Sequence, residues 1–170
     1  MFHILIDGYN LIHASRGADF DWTDLGLEDA RRALVDFLAT RRRPQKERIT
    51  VVFDGVSGAY PRASAAHGIE VVFSESGDTA DKVICKMAAA APNPRAVLVV
   101  SDDREIRSKA LAIGAKVVAA RGFLRRAEEE SEKRRRAGPP EPREKYTGTD
   151  PGQVERWRKI LGFDDGENQQ

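Results

Sequence analysis

The sequence predicts an α/β protein of doubly wound type: a mostly parallel sheet, order 3-2-1-4-5 in the numbering of the predicted strands, with helices on both faces. Three observations carry this. Five short runs, at 2–6 (FHILI), 49–53 (ITVVF), 69–73 (IEVVF), 96–100 (AVLVV) and 116–120 (KVVAA), are continuously apolar and not alternating, the mark of strands buried on both faces. Helical patterns fall between most of them, the alternation of a parallel sheet. The first, second and fourth runs end in Asp, at Asp7, at Asp54-Gly55 and at Ser101-Asp102-Asp103.

The first run gives way to Gly8 and Asn10, where a strand hands over to a loop or a short turn of helix. Leu27, Ala30, Leu34, Phe37 and Leu38 then recur at three- and four-residue steps among charged residues, predicting an amphipathic helix that Asp24 can cap and Pro44 closes. Between the second and third runs, Gly58, Pro61 and Gly68 punctuate a link with no helical face. This is unusual, because a parallel crossover commonly takes a helix. Residues 78–91 read as a helix begun by Asp78 or Thr79, with Val83, Ile84, Met87 and Ala88 on its apolar side. The next helix, 103–113, stops at Gly114. Residues 123–136 make a densely charged helix, so that 1–136 is predicted as one domain; 137–149, opening AGPPEPR, reads as a linker, and 150–170 as a short helix and tail with Val154, Trp157, Ile160 and Leu161 in one stripe.

With 170 residues, 41% of them hydrophobic, the chain can bury a real core. A formal net charge of +1 means that a nucleic-acid partner has to be held by a local basic patch. One cysteine, Cys85, excludes an internal disulfide and a Cys-rich zinc site. No apolar segment approaches the ~20 residues of a membrane span, and the start lacks a signal peptide's pattern. These features predict a cytoplasmic protein without a membrane partner.

In an open parallel sheet, ligands bind beyond the carboxyl ends of the strands where the strand order reverses. Asp7, Asp54 and Asp102 then share one end of one cleft, and Asp81 in the first turn of a helix can lean over it. Clustered carboxylates either raise one another's pKa or hold a cation. Mg²⁺ suits carboxylate oxygen and substrate phosphate, and such a site activates water for phosphodiester hydrolysis. Plainer roles stand beside these: Asp78 as a helix cap with Asp81 stabilising the helix start, Asp103 as the cap of the next helix, Asp54-Gly55 as a turn. Asn10 and Ser101 read either as caps or as polar support for Asp7. His13 lacks a second His at ligand spacing and reads as surface or packing, and Cys85 as core.

The candidate phosphate contacts are Arg104 and Arg107, on the helix that starts at the cleft, Arg62 on a loop, and Arg41 with Arg42 and Arg43, which equally suit a helix C-terminus. Lys109, Arg121, Arg125 and Arg126 extend the set, and loop residues Tyr9 and Tyr60 are available for stacking on bases.

LIDGYNLIH at the start, VVFDG after the second strand, SGDTADKVI at a helix start and VLVVSDDREI at the fourth strand together resemble the NYN family of PIN-like nucleases, in its bacterial YacP-like branch. The resemblance covers residues 1–136 and extends more loosely to the Trp157 helix. It implies a PIN-like fold and a Mg²⁺- or Mn²⁺-dependent endoribonuclease. Asp7, Asp54, Asp81 and Asp102 are its acidic metal site, with Asn10 and Ser101 in support. It also implies RNA as substrate, mRNA during translation, and the ribosome as a partner. A dehalogenase-like phosphatase is disfavoured because its second Asp falls at Tyr9, and a Rossmann enzyme because DGYN is not a glycine-rich turn. The rival from another class is a catalytically silent RNA- or ribosome-binding module of the same fold. Clustered negative charge would hurt such a module's grip on phosphate.

Overall fold

The structure, a computed structural model, describes residues 1–136 apart from 19, 44, 56–62 and 75–76. The chain divides into compact units at 1–133 and 134–170; the predicted linker and terminal helix lie outside the described residues. Strands β1 (Phe2–Asp7), β2 (Glu47–Phe53), β3 (Ala63–Ala66), β4 (Ile69–Phe73), β5 (Val97–Val100) and β6 (Lys116–Val118) form one sheet in the order β3-β4-β2-β1-β5-β6. The five parallel strands are those predicted, in the predicted order. The sixth, β3, runs antiparallel on the outside of β4 and occupies the link that shows no helical face. Ala66 pairs with Ile69 across His67 and Gly68, both at positive φ (51° and 79°). That is the backbone a two-residue hairpin requires.

Helices α1 (Gly8–Ala14), α2 (Leu27–Arg41), α3 (Ala80–Ala89), α4 (Arg104–Ile113) and α5 (Ala120–Arg136) cover the sheet. Successive strand residues point to opposite faces, so β1 divides its side chains between two cores. Ile4 and Ile6 join Leu11, Leu34, Phe37, Phe53 and Leu124 on the α1, α2 and α5 side. Leu5 joins Val52, Val99, Ile84 and Ile106 on the α3 and α4 side. This two-sided burial is why the strands read as unbroken apolar runs. Among the described residues no helix is long and apolar enough to cross a membrane.

Several helix starts differ from the sequence expectation. Helix α2 is capped by Gly26 without a side-chain bond and not by Asp24. For α3 the expected alternatives resolve in favour of Thr79, which is the cap, while Asp78 pairs with Lys82 and Lys86. The predicted fifth strand ends at Val118, and the last helix begins at Ala120, three residues earlier than predicted.

Candidate active site at the carboxyl edge of the sheet

Asp7 is both the last residue of β1 and the N-cap of α1, where its Oδ1 accepts from the Asn10 backbone N–H at 3.0 Å. Helix α1 follows directly at Gly8, which lies on the Phe53 ring, where an added Cβ would clash. Ser101, fully buried at the end of β5, donates to Asp7 Oδ2 at 3.4 Å. The Asn10 side-chain oxygen accepts the Asp102 backbone N–H at 3.1 Å. Asn10 and Ser101 thus tie the ends of two neighbouring strands around one carboxylate.

Asp54, just past β2, accepts the backbone N–H of Ala80 at 2.5 Å, with Ser74 donating to the same oxygen at 3.4 Å. It therefore satisfies a donor in the first turn of α3, the turn that carries Asp81. Burial pushes the Asp7 carboxyl above the usual carboxylate range, and the charges of Asp81 and Asp54 add to that push against the Asn10 hydrogen bonds. Asp81 is also raised, by desolvation and then by Asp103, Asp54 and Glu105. Asp7, Asp54 and Asp81 feel one another's charge. Asp103, the expected cap of α4, and Glu105 in the first turn of that helix join that field.

Asp102 is engaged differently: its Oδ1 accepts the backbone N–H of Ala120, the first residue of α5, at 2.9 Å. Asp103 caps α4, accepting from Glu105 and Ile106. Two adjacent carboxylates thus fasten two helices to the end of β5.

Among the basic candidates, Arg104 stands exposed at the first position of α4 and Arg107 is half-buried one turn on. Arg41 and Arg42 end α2 just before β2 begins, at the amino end of the strands, so the structure does not bring them to the carboxylates. The Arg41 guanidinium stacks on Phe37 at 3.8 Å, and Arg43 pairs with Glu130 at 2.7 Å. Arg62 and Tyr60 lie outside the described residues. Tyr9 packs edge-on against Phe53, with ring centroids 5.2 Å apart. Cys85 is half-buried on α3, its thiol pushed up by burial.

The sequence reading passed over Arg31. Its guanidinium lies 5.1 to 5.5 Å from the rings of Tyr9, Phe53 and Phe73, donates to the Tyr9 hydroxyl, and keeps its Nε buried without a hydrogen-bond partner among the described residues. On a helix wheel it is one more charge between apolar positions, and nothing local marks it.

Residues 4–160 match the YacP-like NYN domain family, within the PIN-like nucleases. This chain belongs to that family. The NYN chain is 31% identical over 134 residues to the protein YacP of Bacillus subtilis (strain 168), covering 74% of each. Its fold is similar to the crystal structure of Rae1 (YacP) from Bacillus subtilis, with a TM-score of 0.63 and 28% identity over 96% of this chain and 92% of that one. A single-substitution variant of Rae1 gives a TM-score of 0.65 at 28% identity, covering 80% of each chain. The NYN relationship accounts for the PIN-like sheet order.

Proposed function

We propose that this protein is a divalent-metal-dependent endoribonuclease that hydrolyses RNA phosphodiester bonds at the carboxyl edge of the sheet. The observation that carries the reading is the convergence of Asp7, Asp54 and Asp81 from three elements: besides burial, the charges of Asp81 and Asp54 raise Asp7, and that of Asp54 raises Asp81. Capping accounts for Asp7 and Asp54 one at a time, but not for gathering them with Asp81, where like charges raise one another's pKa unless a cation sits among them.

The donors fit Mg²⁺ or Mn²⁺: they are oxygens only, and a hard ion of this kind needs one or two carboxylates, completing its shell with water and substrate. Asp7, Asp54 and Asp81 would hold it. A bound divalent ion supplies Lewis-acid polarisation and charge neutralisation at the phosphodiester. The chain supplies the orientation: Asn10 N–H and Ser101 fix the two oxygens of Asp7, and Ala80 N–H fixes Asp54. Asn10 and Asp102 act as positioning residues, Asn10 through the end of β5 and Asp102 through α5. Arg104 and Arg107 on α4 are proposed phosphate contacts. That the RNA is mRNA presented on a ribosome, in the cytoplasm, is proposed from the family resemblance.

One observation favours a second reading, the silent binding module: among the described residues no three potential ligands are already grouped to hold an ion. The experiment is thermal unfolding across Mn²⁺ and Mg²⁺ titrations, for wild type and Asp81→Asn, followed by cleavage assays on RNA and on translating ribosomes. Ion-induced stabilisation that shrinks in the variant, with cleavage lost, supports the nuclease. Unshifted melting in both proteins together with no cleavage supports the module.

A further inference from the structure

Along α1, the helix that Asp7 caps, lies a pocket of about 180 Å³ lined by Tyr9, His13, Arg16, Trp22, Leu25 and Leu27 among others. It is too small for a drug-sized ligand, whose sites run to ~300–1,000 Å³, and suits one planar ring system. Its floor and rim are unlike an ordinary surface crevice. Trp22 is only 5% exposed, and its indole N–H, which makes no hydrogen bond among the described residues, is not one of the buried unpartnered polar atoms, so it is reached by solvent. Leu25 and Leu27 stand 45% and 56% exposed at the margin. His13 and Arg16 are both exposed. Arg16 lies near enough to Asp21 to lower that carboxyl, but no ion pair joins them among the described residues.

The wall is also pre-set. The Asp21 carboxylate accepts from Gly17 N–H and from both the N–H and the hydroxyl of Thr23. Trp22 N–H donates to Ser15 Oγ, which itself donates to the Ile12 carbonyl. Phe20 and Phe37 pack on the Trp22 ring at 5.1 Å each. A ligand therefore meets an ordered indole, and little ordering is left to be done on binding.

We infer that this pocket is a nucleobase subsite, receiving the unstacked base of the nucleotide next to the scissile phosphate; the assignment rests on the proposed RNA cleavage. Single-stranded RNA is read by splaying bases onto aromatic and arginine planes. Tyr9 supplies the aromatic surface, the solvent-reached indole N–H of Trp22 a donor for a base acceptor, and Arg16 with His13 a rim complementary to the flanking phosphate. The position agrees: α1 starts on Asp7, and from Gly8 to His13 it advances only ~8 Å.

The test uses the full-length, ¹⁵N-labelled Asp81→Asn protein and follows the Trp22 indole N–H resonance, assigned with the help of Trp157→Phe. The probes are a short oligoadenylate, an abasic oligonucleotide of equal length, and adenosine monophosphate. Oligoadenylate is expected to shift the indole signal, the abasic strand to leave it in place, and the monophosphate to shift it at roughly tenfold or more higher concentration. Arg16→Ala, at an exposed position, is expected to weaken the oligoadenylate response roughly fivefold to tenfold. An equal response to the abasic strand, equal affinity for the monophosphate, no effect of Arg16→Ala, or an indole that moves with none of the probes overturns the subsite. Failure of the nuclease reading is separate: the indole would still respond while the metal titration and cleavage assays come back empty.

Discussion

Replacing Asp102 separates a ligand from a fastening. Its Oδ1 accepts the N–H of Ala120, a fully buried residue opening α5. In Asp102→Ala that donor loses its partner, a loss of roughly 1–2 kcal/mol for a helix-start hydrogen bond. Asp102→Asn keeps an acceptor oxygen in place and forfeits only the attraction of a charge for the helix start, about 0.3–1 kcal/mol. For a chain of this size each kcal/mol moves Tm by about 2–4 °C. The alanine variant should therefore melt about 2–8 °C below wild type, with asparagine recovering at least half of the gap. Both should keep the Mn²⁺-induced increment in Tm, because the carboxylates that bear on Asp7 and Asp81 are elsewhere. The assay is differential scanning calorimetry with and without Mn²⁺. An asparagine variant that melts like wild type without metal, yet gains nothing from Mn²⁺, would show Asp102 to be a direct ligand and refute the argument.

Two further outcomes follow from the same edge. Since the folded-state pKa of Asp7 lies above its unfolded value, its ionised form works against folding at neutral pH, and the protein recovers that stability as pH falls through the raised pKa toward the ordinary carboxylate range. Metal-free Asp7→Asn should accordingly be more stable than wild type at pH 7, with the difference closing below that range; urea midpoints at several pH values measure it, and a constant gap would count against burial and repulsion as the cause. Gly8→Ala should cost roughly 1–3 kcal/mol, because its Cβ would overlap the Phe53 ring and overpacking of this kind forces neighbours off their rotamers; a urea midpoint unchanged from wild type would mean that the ring yields freely.

Much of this was legible because two signals coincide in β1, β2 and β5. Burial on both faces writes an unbroken apolar run, and an Asp directly after it has no packing reason to be there. The sheet order then brings the ends together. What stayed hidden depended on contacts distant in sequence. Strand β3 is Ala-Ser-Ala-Ala, without β-branched or aromatic residues, and it exists only because β4 offers an edge. The different engagements of Asp102 and Asp103 are invisible in an SDD tripeptide, since one side chain finds α4 next to it and the other finds α5 some eighteen residues later. Arg31 reads as a solvated charge until α2 is laid against Phe53 and Phe73. Trp22 shows the same limit, since its burial depends on Phe37 of α2, which packs on its ring from fifteen residues away.

Because Asp7 terminates a central strand and begins the next helix in one residue, its orientation is laid down by the same events that lay down the backbone. Strand β1 is gripped by parallel neighbours on both sides, from Phe2 opposite Glu47 to Asp7 opposite Val52. Slippage by one position would turn every side chain to the other face. The interval between acquiring the native topology and having this carboxylate aimed is therefore close to nil, and a partly folded chain has no means of presenting the acid early. For a protein proposed to cut RNA, the central strand thus acts as a safety catch: reactivity comes into being with the finished fold and is lost when that fold opens.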